Sequence, residues 1–256
     1  MFGFRAPPPR EGQWLELDGE RFWLAWKPHA KARRMKLLVA STGPRLTLPP
    51  RTSEQAALAF VDQHQDWLLA QWRKQQALHL PALCRGDAAS LPWLGNQIPV
   101  QWLQGRALQI IRLPEQWQIH TSARSSDSQL RAALLKTYRE FGTAWFHQQM
   151  QPYLADLPKA PSALQVRPLK SLWGSLNVAD VVRLDVALLL APEPVADYVL
   201  VHELCHLLQR NHSPKFWREV QARCPDWQQH RDYLRQHGSG LKAEARRLFL
   251  HGDGVH

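Results

Sequence analysis

The chain has 256 residues, 45% hydrophobic and 21% charged, which excludes a disordered or fibrous sequence. Its 32 Lys and Arg against 22 Asp and Glu leave a net charge of +10, while three scattered cysteines (Cys84, Cys205, Cys224) without a CxxC pair argue against a disulfide framework or a thiolate metal site. The amino-terminal residues hold no apolar run of signal-peptide length, and no window approaches the roughly 18 uninterrupted apolar residues of a membrane span, so the expectation is a cytoplasmic protein with no membrane partner.

Residues 13–26 and 36–48 alternate as strands do, and Thr42-Gly43-Pro44 predicts a hairpin turn within the second run. Between Arg21 and Arg51 lie eight basic residues and no acidic one, interleaved with Trp23 and Trp26. Such a segment can attract phosphate backbones, or can simply be a solvated face. Thr52 or Ser53 caps a predicted helix reaching about Gln76, with Phe60, Val61, His64, Trp67, Leu68 and Trp72 at three- and four-residue steps. Short β-like runs at 92–103, 108–113 and 117–121 predict a small antiparallel sheet. The polar run 122–128 is the best internal boundary. Beyond it, Ser126 or Asp127 caps a helix with Leu130, Leu134, Tyr138, Phe141 and Trp145 on one stripe. Runs at 164–166, 172–176 and 181–184 read as strands, and Pro192 with Pro194 opens another helix. No internal repeat is visible in the residues.

That helix, predicted over residues 195–210 as VADYVLVHELCHLLQR, is apolar on nearly every face and should be buried. It nevertheless carries His202, Glu203 and His206. Histidines four residues apart lie about 40° apart on one helix face and can share one ion, with the intervening glutamate as general base. Burying such groups without a purpose costs several kcal/mol, whereas zinc satisfies both imidazoles. A catalytic zinc commonly takes a third protein ligand, and His212 is the candidate. Asn211 can end the helix, Ser213 can cap the next and Pro214 suits its first turn, so a tight bend returns His212 toward the site.

The resulting HExxHxxxxxH, together with LKSLWGS at 169–175, APEPVADYVLVHELCHLLQRNHSPKFW at 191–217 and Pro225-Asp226, resembles the YgjP-like metallopeptidases, and more distantly the SprT-type and WLM-type zinc proteases. The resemblance implies an α+β fold with a zincin-like metallopeptidase core behind an N-terminal β-rich region. It also implies Zn2+ on His202, His206 and His212, a zinc-bound water activated by Glu203, and protein or peptide substrates added as a strand beside Trp173-Gly174-Ser175. Leu176 and Asp185 depart from the Cys and Asn usual in that family, away from ligands and base. The expected domains are 1–125 (β-rich, with one amphipathic helix), 126–240 (the core) and 241–256 (a flexible tail). Arg167, Lys170 and Tyr198 are candidates to steady an oxyanion. Two other readings stay open: a nucleic-acid-associated protein whose basic segment 21–51 docks DNA, and a metal-binding scaffold without activity.

Overall fold

The structure is a computed structural model and describes residues 12–40, 42–78 and 80–250. The chain divides into two compact units between residues 79 and 80. This is not the expected boundary near residue 125, because the strands that precede the polar run share a core with the helices and strands beyond it.

The first unit begins with β1 (Gly12–Leu17) and β2 (Glu20–Pro28), joined by Asp18 and Gly19 at φ 49° and 76°. Two left-handed residues in a row are what a two-residue type I′ turn requires, and Asp-Gly supplies them cheaply. Strands β3 (Lys36–Ala40) and β4 (Gly43–Leu48) complete a sheet of order β1-β2-β4-β3, in which β2 and β4 run parallel. Helices α1 (Glu54–Gln63) and α2 (Gln65–Ala77) come next, with the Ser53 hydroxyl accepting from the Ala56 amide at the first N-terminus. The continuous helix expected over this stretch is broken at His64. Its ring Nδ1 lies 2.8 Å from the Phe60 carbonyl oxygen that its own amide would take in a continuous helix, and that amide turns to Val61 instead. Phe22, Leu24, Trp26, Leu37, Leu46 and Leu48 on one sheet face pack with Ala57, Val61 and Leu68 of the helices. Trp67, expected on the apolar stripe, is 44% exposed, while Trp72 lies 4.9 Å from Phe22.

The second unit opens with β5 (Ser90–Trp93), β6 (Asn96–Gln104), β7 (Gln109–Arg112) and β8 (Trp117–Thr121), in the order β5-β6-β8-β7. This sheet is mixed and not purely antiparallel as expected, since β6 and β8 are parallel. Its topology repeats that of the first sheet. Leu94 and Gly95, at φ 48° and 82°, form the same kind of turn, pinned where the Leu94 amide donates to Leu189. A serine again caps the succeeding helix: Ser126 and Gln129 form a capping box at the start of α3 (Asp127–Leu154). A repeat of strand order thus exists that the residues themselves do not reveal.

Strands β9 (Ala163–Arg167), β10 (Gly174–Leu176) and β11 (Val181–Asp185) form a third sheet of order β10-β11-β9. A 3₁₀ helix (Val186–Leu190), buried throughout, leads to α4 (Glu193–Cys205), α5 (Pro214–Arg223) and α6 (Trp227–Phe249). Trp117 stacks on Tyr138 at 5.3 Å, and Phe249 closes on Tyr138 at 4.9 Å. Residues 241–249, expected in a flexible tail, are therefore helix, with Leu248 and Phe249 buried; residues 251–256 lie outside the described residues. Among the described residues no helix is long and apolar enough to cross a membrane.

Because Phe249 fills core volume, Phe249→Ala is expected to lower stability by about 3–5 kcal/mol, read from urea unfolding. A change below about 1 kcal/mol would place the end of α6 outside the core.

Candidate metal centre

Helix α4 owes its start to Pro192 and Pro194 and its burial to Val195, Ala196, Val199, Leu200, Val201 and Leu204. It ends at Cys205, short of the expected Arg210: the amides of His206, Leu207 and Leu208 bond three residues back, tightening the last turn. The chain reverses, and Ser213 caps α5 by accepting from the Phe216 amide, with Pro214 in the first turn.

This reversal brings together His202, His206 and His212, whose ligand atoms all lie within 4.8 Å of one another. Nε2 of His202 and Nε2 of His212 are 3.0 Å apart, close to the about 3.3 Å separating two nitrogens on a tetrahedral ion with bonds near 2.0–2.1 Å. His206 Nδ1 sits 3.0 Å from the Gln209 carbonyl oxygen, which can only accept. Nδ1 therefore carries the proton, and Nε2 is left as a lone-pair donor. Burial and the two neighbouring rings push His202 down to about 3, so its imidazole is neutral and able to ligate at neutral pH. The donor set fits a divalent metal ion. Phe216 forms the floor: it stacks on His206 at 4.5 Å and meets His202 and His212 edge-on at 4.9 and 4.8 Å. Beside it Trp217 stacks on Trp227, with the Arg231 guanidinium 4.8 Å from the Trp227 ring.

Glu203 is 5% exposed, and burial pushes its carboxyl up to about 8, opposed by the Leu176 amide of β10. A dication nearby would favour the carboxylate and bring it down again. The carboxyl rests on Gly174, where any Cβ would stand 2.6 Å from Oε1 and 2.7 Å from Cγ. Glycine at that position is what lets the acid reach the strand.

The segment leading into β10 is clamped from behind. The Asp185 carboxylate accepts from the amides of Ala187 and Leu169 at 2.7 and 2.8 Å and pairs with Lys242 of α6. The Lys242 ammonium also donates to the carbonyls of Leu169 and Leu172 at 2.9 and 3.0 Å and sits over the Trp173 ring. That ring in turn occupies the space where a Cβ on Gly238 would be, 2.7 Å away. Burial pushes the Asp185 carboxyl up, with Lys242 opposing. Nothing along the sequence signals Lys242 or Gly238, because their partners are remote in the chain.

The other expected site residues scatter. Tyr198 is buried one turn before His202, with its ring 6.1 Å from that imidazole. Arg167 lines a groove of about 990 Å³ with Lys136, Arg139 and Glu140, away from the histidines, and Lys170 is exposed before β10. Cys205 is buried, as a small apolar residue would be.

Three histidines gathered at the end of a buried helix and in the turn beyond it are an arrangement that suits a metal-dependent hydrolase. The family can be stated more closely: the family model described as YgjP-like, metallopeptidase domain, matches residues 33–237, and the chain belongs to that family. The crystal structure of the metallopeptidase zymogen of Pyrococcus abyssi, abylysin, aligns over 36% of this chain and 92% of that one, with 27% identity and a TM-score of 0.33. No curated protein matches the sequence.

Gly174→Ala should force Glu203 or β10 aside. Peptidase activity is expected to fall at least about tenfold while metal content stays unchanged, since a displacement of about 1 Å is enough to cost that much. Full activity in this variant would show that the close approach is dispensable.

Proposed function

We propose that this metallopeptidase hydrolyses peptide bonds with a zinc ion on His202, His206 and His212 and with Glu203 as general base. The observation that carries the reading is the convergence of three imidazoles beside a buried carboxyl that abuts a strand edge. Three imidazole nitrogens suit zinc, and three protein ligands would leave a position for water or substrate. When bound, zinc supplies Lewis-acid polarisation of the scissile carbonyl and acidifies a water.

The chain's own residues do the rest. Glu203 takes a proton from the attacking water and returns it to the leaving amine, moving a proton between two oxygens and then to nitrogen. Strand β10, at the edge of its sheet, offers main-chain groups along which an extended protein or peptide segment can lie. Phe216 packs against all three imidazoles. Three unpaired cysteines fit a reducing compartment, and we place the protein in the cytoplasm.

Elemental analysis of the purified protein is expected to find one equivalent of zinc, lost in His206→Ala. Glu203→Gln should keep the metal and cut turnover of a denatured protein substrate at least about a hundredfold. Undiminished turnover in that variant would remove Glu203 as the base, and a different metal at full occupancy would remove zinc.

A further inference from the structure

The first sheet has two faces of opposite character. One packs on α1 and α2; the other, as the strand register fixes it, carries Trp14 opposite Trp23, Glu16 opposite Arg21, Ala25 beside Arg45, Lys27 beside Thr47, and Lys36 opposite Thr47. Trp14 and Trp23 are 58% and 41% exposed. Their rings meet edge-on at 5.7 Å, and the Arg21 guanidinium lies 4.9 Å from the Trp14 ring. Trp23 lies over Gly12, where a Cβ would be 2.7 Å from the ring, so a glycine makes room for an indole on the outside of the protein. Of the charged residues on this face Arg21, Lys27, Lys36 and Arg45 are basic and only Glu16 is acidic. Asp18 and Glu20 at the adjoining turn are both engaged by Arg73.

A cross-strand tryptophan pair steadies a hairpin whatever else it does. That role calls neither for such exposure nor for four cations on the same face. The second sheet, with the same strand order, presents Gln97, Gln101 and Gln118 on its corresponding face, so the topology does not demand aromatic or basic residues there. The basic segment of the sequence is also sorted by the fold: Trp26 turns into the core, while Lys31, Arg33 and Arg34 are exposed in the connection between β2 and β3.

Exposed tryptophans on an open sheet face that also carries cations are the chemistry that holds an unpaired polynucleotide, through base stacking and phosphate neutralisation. We infer that the outer face of the β1-β2-β4-β3 sheet docks single-stranded nucleic acid, with Trp14 and Trp23 stacking on bases and Arg21, Lys27, Lys36 and Arg45 neutralising phosphates. The face spans three inter-strand spacings, about 14 Å. Bases paired in a duplex cannot reach the indoles, so a single strand is preferred. This inference does not depend on the peptidase reading.

The test is fluorescence anisotropy of the full chain with a labelled oligothymidylate of ~20 nucleotides, between about 50 and 200 mM salt. Binding is expected with a log–log salt slope of about −3, from four cations at ~0.7 each. Replacing all four by glutamine should flatten that slope. Trp14→Leu with Trp23→Leu should weaken binding about tenfold or more at an unchanged slope, and a duplex of matched length should bind at least several-fold more weakly. If the tryptophan variant fails to fold, the glutamine variant, altered only at exposed positions, decides. No binding at about 50 mM salt, equal or tighter binding of the duplex, an unaltered salt slope in the glutamine variant, or full affinity in a folded tryptophan variant would each overturn the inference. So would binding to anionic vesicles with none to the oligonucleotide.

Discussion

Holding Glu203 and His202 on a largely apolar helix, with His206 at its end, costs several kcal/mol unless their polar atoms find partners, and elements around α4 meet most of that demand. The Gln209 carbonyl accepts from the His206 ring, and Leu176 offers its amide to the carboxyl. Nδ1 of His202 is buried without a hydrogen-bond partner. Its opposite nitrogen faces His212 across a gap of ligand dimensions. The polar side of α4 is thus completed by a turn, a strand edge and a neighbouring helix, none of which α4 could supply itself.

The strand edge is held in turn by Asp185 and Lys242. An ion pair this deeply buried adds little net stability, but removing one partner strands the other charge at a cost of about 3–5 kcal/mol. Here the pair serves geometry. The Lys242 ammonium gathers the Leu169 and Leu172 carbonyls and the Trp173 ring, which sets the path of the chain into Gly174 and hence the seat of Glu203. Asp185 supplies the charge that Lys242 meets.

The gathering of the three histidines was legible in the sequence to the extent that its determinants are local. Histidines at a four-residue step, a third in a bend marked by Ser213-Pro214, and proline at the helix start all act within one or two turns. What escaped were pairings between distant residues. The parallel pairing of β2 with β4 and of β6 with β8 leaves the alternation along each strand unchanged, so a purely antiparallel sheet fits the same residues. Gly174 and Gly238 read as ordinary loop or helix glycines until the carboxyl and the indole that occupy their missing side chains are in place. The break at His64 was hidden because the apolar spacing continues through it, while a side-chain bond takes the carbonyl that the backbone needs.

Sequence separation also orders assembly. Each four-stranded sheet closes among near neighbours in the chain, a contact pattern that forms quickly. The clamp behind β10 cannot close until Lys242 arrives, 57 positions beyond Asp185. On topology alone, Glu203 acquires its fixed seat only when the last helix docks, and a chain still emerging without α6 would carry the three histidines but not the strand path against which the carboxyl rests.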